Sequence, residues 1–446
     1  MEDKEQYSRG AVYTLYVAAL GGCSVGLQSG IISGALPFLT KQYELSYAHQ
    51  GFIVSVLLIG AMFGVAISGW IADRFGRLKG LFLQAILFCI GTLLVVSAQS
   101  LLDIVLGRLI TGVAIGIVSS LVPLYLSEIS PDYCRGRFVA MYQFFVAIGF
   151  LLAYAVNAVF SSSGGWRFMF AIGFLPCVLQ LGCLIFSPES PSWLLSKGLK
   201  AQAELAFEKL RSDRLWKGSM DASTQPISSP KTAGFLEMLQ NPRIRKVVGL
   251  GIILNMFQQI TGVNMVLYYS PKIFQAVGFS SLHLAILASI AIGMVNLIST
   301  GLSLRLIDKM GRRSLLFISL SGMAFFLLIF SFIIGLGSNI LHWIGLFCLI
   351  GYMGCFAIGL GPVTFVVTAE LYPLAIRGRA ISLAIGSNWV FNYLLSFSFP
   401  LLLPSVGIGS VFALFTLFTC IALLFIYFFI PETKGKSLSQ IADELK

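Results

Sequence analysis

Residues Gln258 to Pro271 read QQITGVNMVLYYSP: two glutamines, a threonine, an asparagine and two tyrosines set inside an otherwise apolar segment. In hydrocarbon each unpaired amide costs several kcal/mol, so these groups must face protein, water or a ligand. A continuous helix would bring Gln258, Thr261 and the segment around Met265 to one face at i, i+3 and i+7, with Gln259 and Asn264 flanking it. Each primary amide offers two donors and an acceptor, which suits neighbouring hydroxyls on a neutral polyol. Tyr268 and Tyr269 fall two to three turns on, about 15 Å from Gln258, as a lid at the far mouth or an aromatic belt. Amides also glue helices together in membrane bundles, so this stretch alone fits either role.

The rest of the chain sets the environment. Of its 446 residues 57% are hydrophobic and only 11% charged, against about 25% charged in ordinary soluble domains. Apolar segments long enough to span a bilayer run near 11–39, 51–72, 80–98, 102–126, 138–160 and 166–187. They resume near 247–269, 282–307, 315–337, 342–368, 380–403 and 407–430. This predicts an all-α integral membrane protein with twelve spans and no cleavable signal peptide.

The net charge of +11 reports topology rather than a nucleic-acid partner. With both termini placed in the cytoplasm, the outer loops hold only Lys41, Arg167 and Lys272 among the basic residues. The inner loops hold Arg74, Arg77, Lys79, Arg135, Arg137, the basic residues of 197–246, Lys309, Arg312, Arg313, Arg377, Arg379 and Lys434, as the positive-inside rule requires. The eight cysteines show neither CxxC nor metal-ligand spacing. There is no phosphate loop and no nucleophile–base set. No catalytic residue, metal, cofactor or ATP use is expected.

Three motif pairs mark an internal duplication. GWIADRFGR (Gly69 to Arg77) matches IDKMGRR (Ile307 to Arg313). SEISPDYCRGR, ending at Arg137, matches AELYPLAIRGR, ending at Arg379. PESP at Pro188 matches PETKG at Pro431. The expected organisation is a six-helix half over 1–188, a cytoplasmic helical linker over 189–245, a second half over 246–431 and a tail over 432–446. Two pseudo-symmetric halves are a common plan of secondary transporters.

Polar residues inside the other spans are the remaining candidates. Arg108 is the one charge clearly inside the fourth span, and an intramembrane charge is a functional candidate; it also fits snorkelling or bonding to backbone carbonyls. Gln28 is the lone strong polar group of the first span, whose glycines Gly26 to Gly34 allow close helix approach. In the tenth span GLGP, Gly359 to Pro362, must bend or break the helix, with Gly361 and Pro362 as a candidate gate beside Thr364 and Phe365. Asn388 and Asn392 share a face in the eleventh span beside Trp389. Gln143 and Asn296 lie in the fifth and eighth spans.

Together QQITGVNMVLYYSP, the paired DRFGR and DKMGRR, PESP and PETKG resemble the sugar porter family of the major facilitator superfamily, nearly end to end. The resemblance implies a twelve-helix bundle with a central cavity, working by alternating access on a monosaccharide. A short tail and lack of targeting signals suit a bacterial inner membrane, and a monomer is expected. The same resemblance implies that Gln143, Gln258, Gln259, Asn264, Asn296 and Asn388 hold the sugar, with Trp389 and Phe365 lining the site. It also implies a cytoplasmic charge latch of Asp73, Arg77, Glu128, Arg135, Glu189, Asp308, Arg312, Arg313, Glu370, Arg377 and Glu432, expected to break on opening inward.

The chain departs from that pattern. Phe365 stands where many relatives have tryptophan, Ala357 where glucose facilitators often have glutamate, and Ser192 where PESP usually continues with arginine. Proton-coupled members resemble one another in placing an aspartate opposite the fourth-span arginine; here that position is Gln28. A glutamine cannot bind and release a proton at physiological pH. Facilitated uniport is therefore expected, with sugar–proton symport the alternative and polyol transport or sugar sensing behind it.

Overall fold

The computed structural model describes residues 9–129, 135–210, 241–334, 341–372 and 376–434. The first five spans are single helices: Arg9–Tyr43, Tyr47–Phe75, Arg77–Val96, Leu101–Ile129 and Arg135–Ser161. The sixth is made of Trp166–Ala171 and Phe174–Phe186. The seventh is broken into Pro242–Ile260 and Val263–Val277, and the tenth into Leu341–Ile358 and Leu360–Leu371. The eighth and ninth are Leu282–Met310 and Arg312–Ile334. A last helical run, Arg377–Phe429, reverses at Gly407, where φ is 78°, and so supplies the eleventh and twelfth spans. The expected boundaries hold to within a few residues except at the seventh span, which runs on to Val277, eight residues past its expected end.

The outer surface is apolar. Phe63, Trp70, Phe186, Phe332 and Phe428 are all exposed, as side chains facing lipid rather than water would be. The core lies between helices, and small residues set the distances there. A Cβ at Gly26 would strike the carbonyl of Val146, so only glycine lets the first and fifth spans pack this closely.

Twelve crossings leave both described chain ends on one side, called here the terminal face. Within each half the spans pack mainly on one another: the first on the fifth, the second and third on the fourth, the ninth on the tenth and twelfth. The halves meet along the second and eleventh, the fifth and eighth, and the first and seventh spans. On the far face they are tied directly. Lys272 Nζ donates to Gln50 Oε1 at 2.7 Å, and Ser161 Oγ lies 2.7 Å from His283 Nδ1. These two contacts join the halves on that face.

After the sixth span the chain forms two short helices, Pro191–Ser196 and Lys200–Leu210, packed through Leu194, Ala203 and Ala206. Lys200–Leu210 falls in the stretch read as a short amphipathic helix, and residues 211–240 of the expected linker lie outside the described residues. The Ser/Pro/Gly stretch Gly218 to Pro230 lies outside the described residues.

Candidate functional site

The seventh span does not run as one helix through the QQITGVN stretch. It ends at Ile260 and restarts at Val263, across Gly262 with φ 92°. Gln258, Thr261 and Met265 therefore do not form one continuous helical stripe, which corrects the simple periodic reading. The left-handed φ favours glycine, and a Cβ there would also collide with the ring of Phe415. The break places amides from both sides of it together.

Four of those amides form a chain. Asn264 Nδ2 donates to Gln259 Oε1 at 2.5 Å, and Gln259 Nε2 donates to Asn388 Oδ1 at 2.9 Å. Asn388 Nδ2 donates to Gln258 Oε1 at 2.5 Å. Gln258 Nε2 closes the run on the carbonyls of Gly361, at 2.7 Å, and Leu360, at 3.2 Å. The expected gate residues Gly361 and Pro362 thus sit at the tenth-span break, capped by the seventh span. Three of the four amides are buried and Asn264 is half-buried, so a neutral donor–acceptor ladder joins the seventh, tenth and eleventh spans. It has the chemistry to trade amide–amide bonds for hydroxyl–amide bonds.

The other expected site residues lie on the fifth, eighth, tenth and eleventh spans. Asn296 is buried, Gln143 and Trp389 are half-buried, and Phe365 is exposed. Among the described residues none of these four joins the amide chain.

Tyr268 and Tyr269 are both buried, which corrects the aromatic-belt alternative and leaves the lid reading. Tyr268 stacks on Phe150 of the other half, with ring centroids 6.5 Å apart, and its hydroxyl accepts from Asn392 Nδ2 at 3.4 Å. Tyr269 donates to the carbonyl of Ser396 at 2.7 Å. Tyr154 of the fifth span reaches the carbonyl of Leu267 at 2.8 Å. The segment after the break is held from both halves.

Gln28 and Arg108 are buried but belong to separate networks, which corrects their reading as a polar pair. Gln28 Nε2 donates to Thr92 Oγ1 at 2.7 Å, tying the first span to the third. Arg108 Nε donates to the carbonyl of Ile53 at 2.7 Å and Nη2 to that of Val54 at 3.3 Å. The backbone-carbonyl reading of Arg108 holds. No carboxylate in the whole sequence lies deep in a span to pair with it; those of the fourth span, Asp103 and Glu128, sit at its two ends.

The charged motifs on the terminal face form two similar clamps, each within one half. Arg77 pairs with Glu128 at 2.8 Å and with Asp73 at 3.5 Å, while Glu189 accepts from the backbone N–H of Arg77 and Leu78, at 3.0 and 3.1 Å. In the other half Arg312 pairs with Glu370 at 3.1 Å, and Glu432 accepts from the N–H of Arg312 and Arg313, at 2.9 and 3.1 Å. Each carboxylate thus sits on the N-terminus of a helix, where the orphan N–H groups and the helix dipole favour negative charge. Arg313 also donates to the carbonyl of Tyr427 at 2.7 Å.

Each described ion pair of the expected latch joins two residues of the same half, Arg77 with Asp73 and Glu128, and Arg312 with Glu370. The side chains of Arg135, Asp308 and Arg377 lie outside the described residues. Burial pushes the Glu189 carboxyl above its usual range, against the N–H groups of Ser190, Leu78 and Arg77 and the Arg77 guanidinium. Burial acts the same way on Glu432, but the N–H groups of Lys434, Arg312, Arg313 and Thr433 outweigh it and hold that carboxyl below its usual range.

Sequence reasoning missed several supporting residues. Asn255, three residues before Gln258, donates to Thr368 Oγ1 at 2.9 Å, and its carbonyl accepts from Asn388 at 3.3 Å. Its spacing of one helical turn from Gln258 was a usable signal. Tyr352, Ser319 and the Gln50–Lys272 contact carried none, since each depends on which spans are neighbours.

Residues 14–445 match the family model described as "Sugar (and other) transporter". The chain is 33% identical over 444 residues to an arabinose-proton symporter of Escherichia coli, covering 97% of this chain and 93% of the relative. It is 37% identical over 434 residues to plastidic glucose transporter 4 of Arabidopsis thaliana, covering 95% of this chain and 78% of that one. Among solved structures, the partially occluded inward-open conformation of the xylose transporter XylE from E. coli superposes with a TM-score of 0.82 at 30% identity, over 96% of this chain and 100% of that one. With its two six-helix halves and broken seventh and tenth spans, the chain belongs to the sugar (and other) transporter family, the sugar porters of the major facilitator superfamily.

Proposed function

We propose that the protein moves a neutral monosaccharide, a hexose or pentose, down its gradient by alternating access, as a facilitated uniporter. The observation that carries the uniport reading is the carboxylate-free centre. Gln28 is bonded to Thr92 and Arg108 to two backbone carbonyls, so neither takes up or gives up a proton on substrate binding. Coupling through a carboxylate whose pKa shifts beside an arginine has no group to use.

The sugar is held by Gln258, Gln259, Asn264 and Asn388, with Gln143 and Asn296 contributing from the fifth and eighth spans and Trp389 and Phe365 lining the path. Support comes from the amide ladder itself, whose neutral donors and acceptors match vicinal hydroxyls. It comes also from relatives described as arabinose, galactose and glucose transporters. The far-face contacts Lys272–Gln50 and Ser161–His283, with Tyr268 and Tyr269 behind them, act as the outer gate. The terminal face is cytoplasmic, by the charge asymmetry of the loops, and the host membrane is a bacterial inner membrane, in keeping with the bacterial relatives.

Symport is the second reading, favoured by the proton symporters among the relatives. Radiolabelled glucose and xylose uptake into proteoliposomes, with and without an inward proton gradient, separates the two. Equilibration without accumulation, indifferent to the gradient, is expected. Accumulation abolished by a protonophore would overturn uniport.

A further inference from the structure

The seventh-span break frees a backbone carbonyl inside the protein. In an unbroken helix the Thr261 carbonyl would accept from the N–H of Met265, but that N–H instead meets the carbonyl of Gly262 at 3.1 Å. The hydroxyl of Tyr352, from the first half of the tenth span, donates to the freed Thr261 carbonyl at 2.9 Å. Tyr352 and Thr261 are both fully buried.

The tenth-span break is capped in turn. Ser319 of the ninth span donates to the carbonyl of Cys355 at 2.7 Å and accepts from the N–H of Leu360 at 2.9 Å. Gln258 of the seventh span caps the carbonyls of Leu360 and Gly361. Each broken span thus holds the other's break: Gln258 serves the tenth and Tyr352 serves the seventh. The amide ladder straddles the first of these breaks, with Gln259 before Gly262, Asn264 after it, and a hydrogen bond between them.

We propose that Tyr352 is a positioning residue for the sugar site: its hydroxyl fixes the Thr261 carbonyl and so keeps Gln259 and Asn264 in register across the seventh-span break. The inference rests on the reading of the amide ladder as the sugar site. Tyr352 does not itself touch the sugar. Without its hydroxyl a buried carbonyl is left without a partner, a costly state, and the break relaxes by rotating the two flanks relative to each other.

The test is sugar binding to purified, monodisperse protein by calorimetry, comparing wild type, Tyr352→Phe, Asn264→Ala and the double variant. Tyr352→Phe keeps the ring packing and is expected to weaken binding by about tenfold. Its effect and that of Asn264→Ala should not add, because both act through the same contact. Unchanged affinity in Tyr352→Phe, even with a lowered melting temperature, would reduce the hydroxyl to a structural role and overturn the proposal. So would fully additive effects. Tyr352→Met, which fills the space without a hydroxyl, repeats the test where Tyr352→Phe does not yield folded protein.

Hydrogen exchange read over residues 257–266 tests the hinge separately from the sugar. Faster exchange confined to that segment in Tyr352→Phe is expected, and unchanged exchange there would overturn the proposal. Wild-type protein that binds no monosaccharide while Tyr352→Phe still speeds exchange there would sink the sugar reading and leave the hinge role standing.

Discussion

Asn388 hydrogen-bonds both glutamines of the QQ pair, donating to Gln258 Oε1 at 2.5 Å and accepting from Gln259 Nε2 at 2.9 Å. One asparagine on the eleventh span therefore orients two amides on the seventh, and only one side chain of that length and chemistry satisfies both.

Asn388→Ala removes both of these bonds, and the one to the Asn255 carbonyl, at once. Each buried group left without a partner costs about 1–3 kcal/mol, and about 1.4 kcal/mol is tenfold in affinity. Sugar binding by calorimetry is expected to weaken by tenfold or more, with the helical fold retained by circular dichroism. Unchanged affinity would make the ladder interhelical glue and move the binding site elsewhere.

Gln28→Glu tests the neutral centre. The protonated acid has a hydroxyl to donate to Thr92 where the amide now does, while the ionised form would be a charge at a buried position within the first span. A charge inside a span is costly, so the neutral acid is the better-tolerated form and acidic solution favours it. The variant's melting temperature should approach wild type near about pH 5 and fall below it near about pH 8. A deficit that does not vary with pH would argue that water reaches residue 28.

The two clamp carboxylates should differ in pH response although their contacts are alike. Glu432 lies below the ordinary value of 4.5, so its stabilisation is present above that pH and lost as pH falls through the folded-state value. Glu189 lies above 4.5, so its contribution is present below that pH and lost as pH rises. Glu432→Gln should therefore lower the melting temperature more than Glu189→Gln at neutral pH. Equal losses would show that the helix N-termini outweigh the difference in burial.

Gly262→Ala meets two obstacles, a left-handed φ of 92° and the Phe415 ring. The backbone term alone costs about 1–2 kcal/mol. The variant is expected to melt lower and to lose sugar uptake. Adding Phe415→Leu should recover part of the stability, since it relieves the ring contact and not the φ. Full recovery would assign the whole cost to the ring.

What the sequence determined by itself is the part written in local chemistry. Span lengths and low charge require a membrane bundle. Three repeated motif pairs require two like halves, and the amides of Gln258, Gln259, Asn264 and Asn388 require polar partners at membrane depth. Even the lack of a deep carboxylate near Arg108 is a property of the string.

Only the tertiary structure decided who meets whom. The seventh span looks continuous as a pattern, yet it breaks at Gly262, because Phe415 and Tyr352 from other spans fill and cap the gap. Gln28 and Arg108 looked like a pair but took different partners, Thr92 and the carbonyls of Ile53 and Val54, since helix rotation within a bundle is set by packing. The clamp arginines joined acids of their own half for the same reason. Hydrophobic pattern fixes that a helix is buried. The neighbours that close around it fix which of its polar groups find each other.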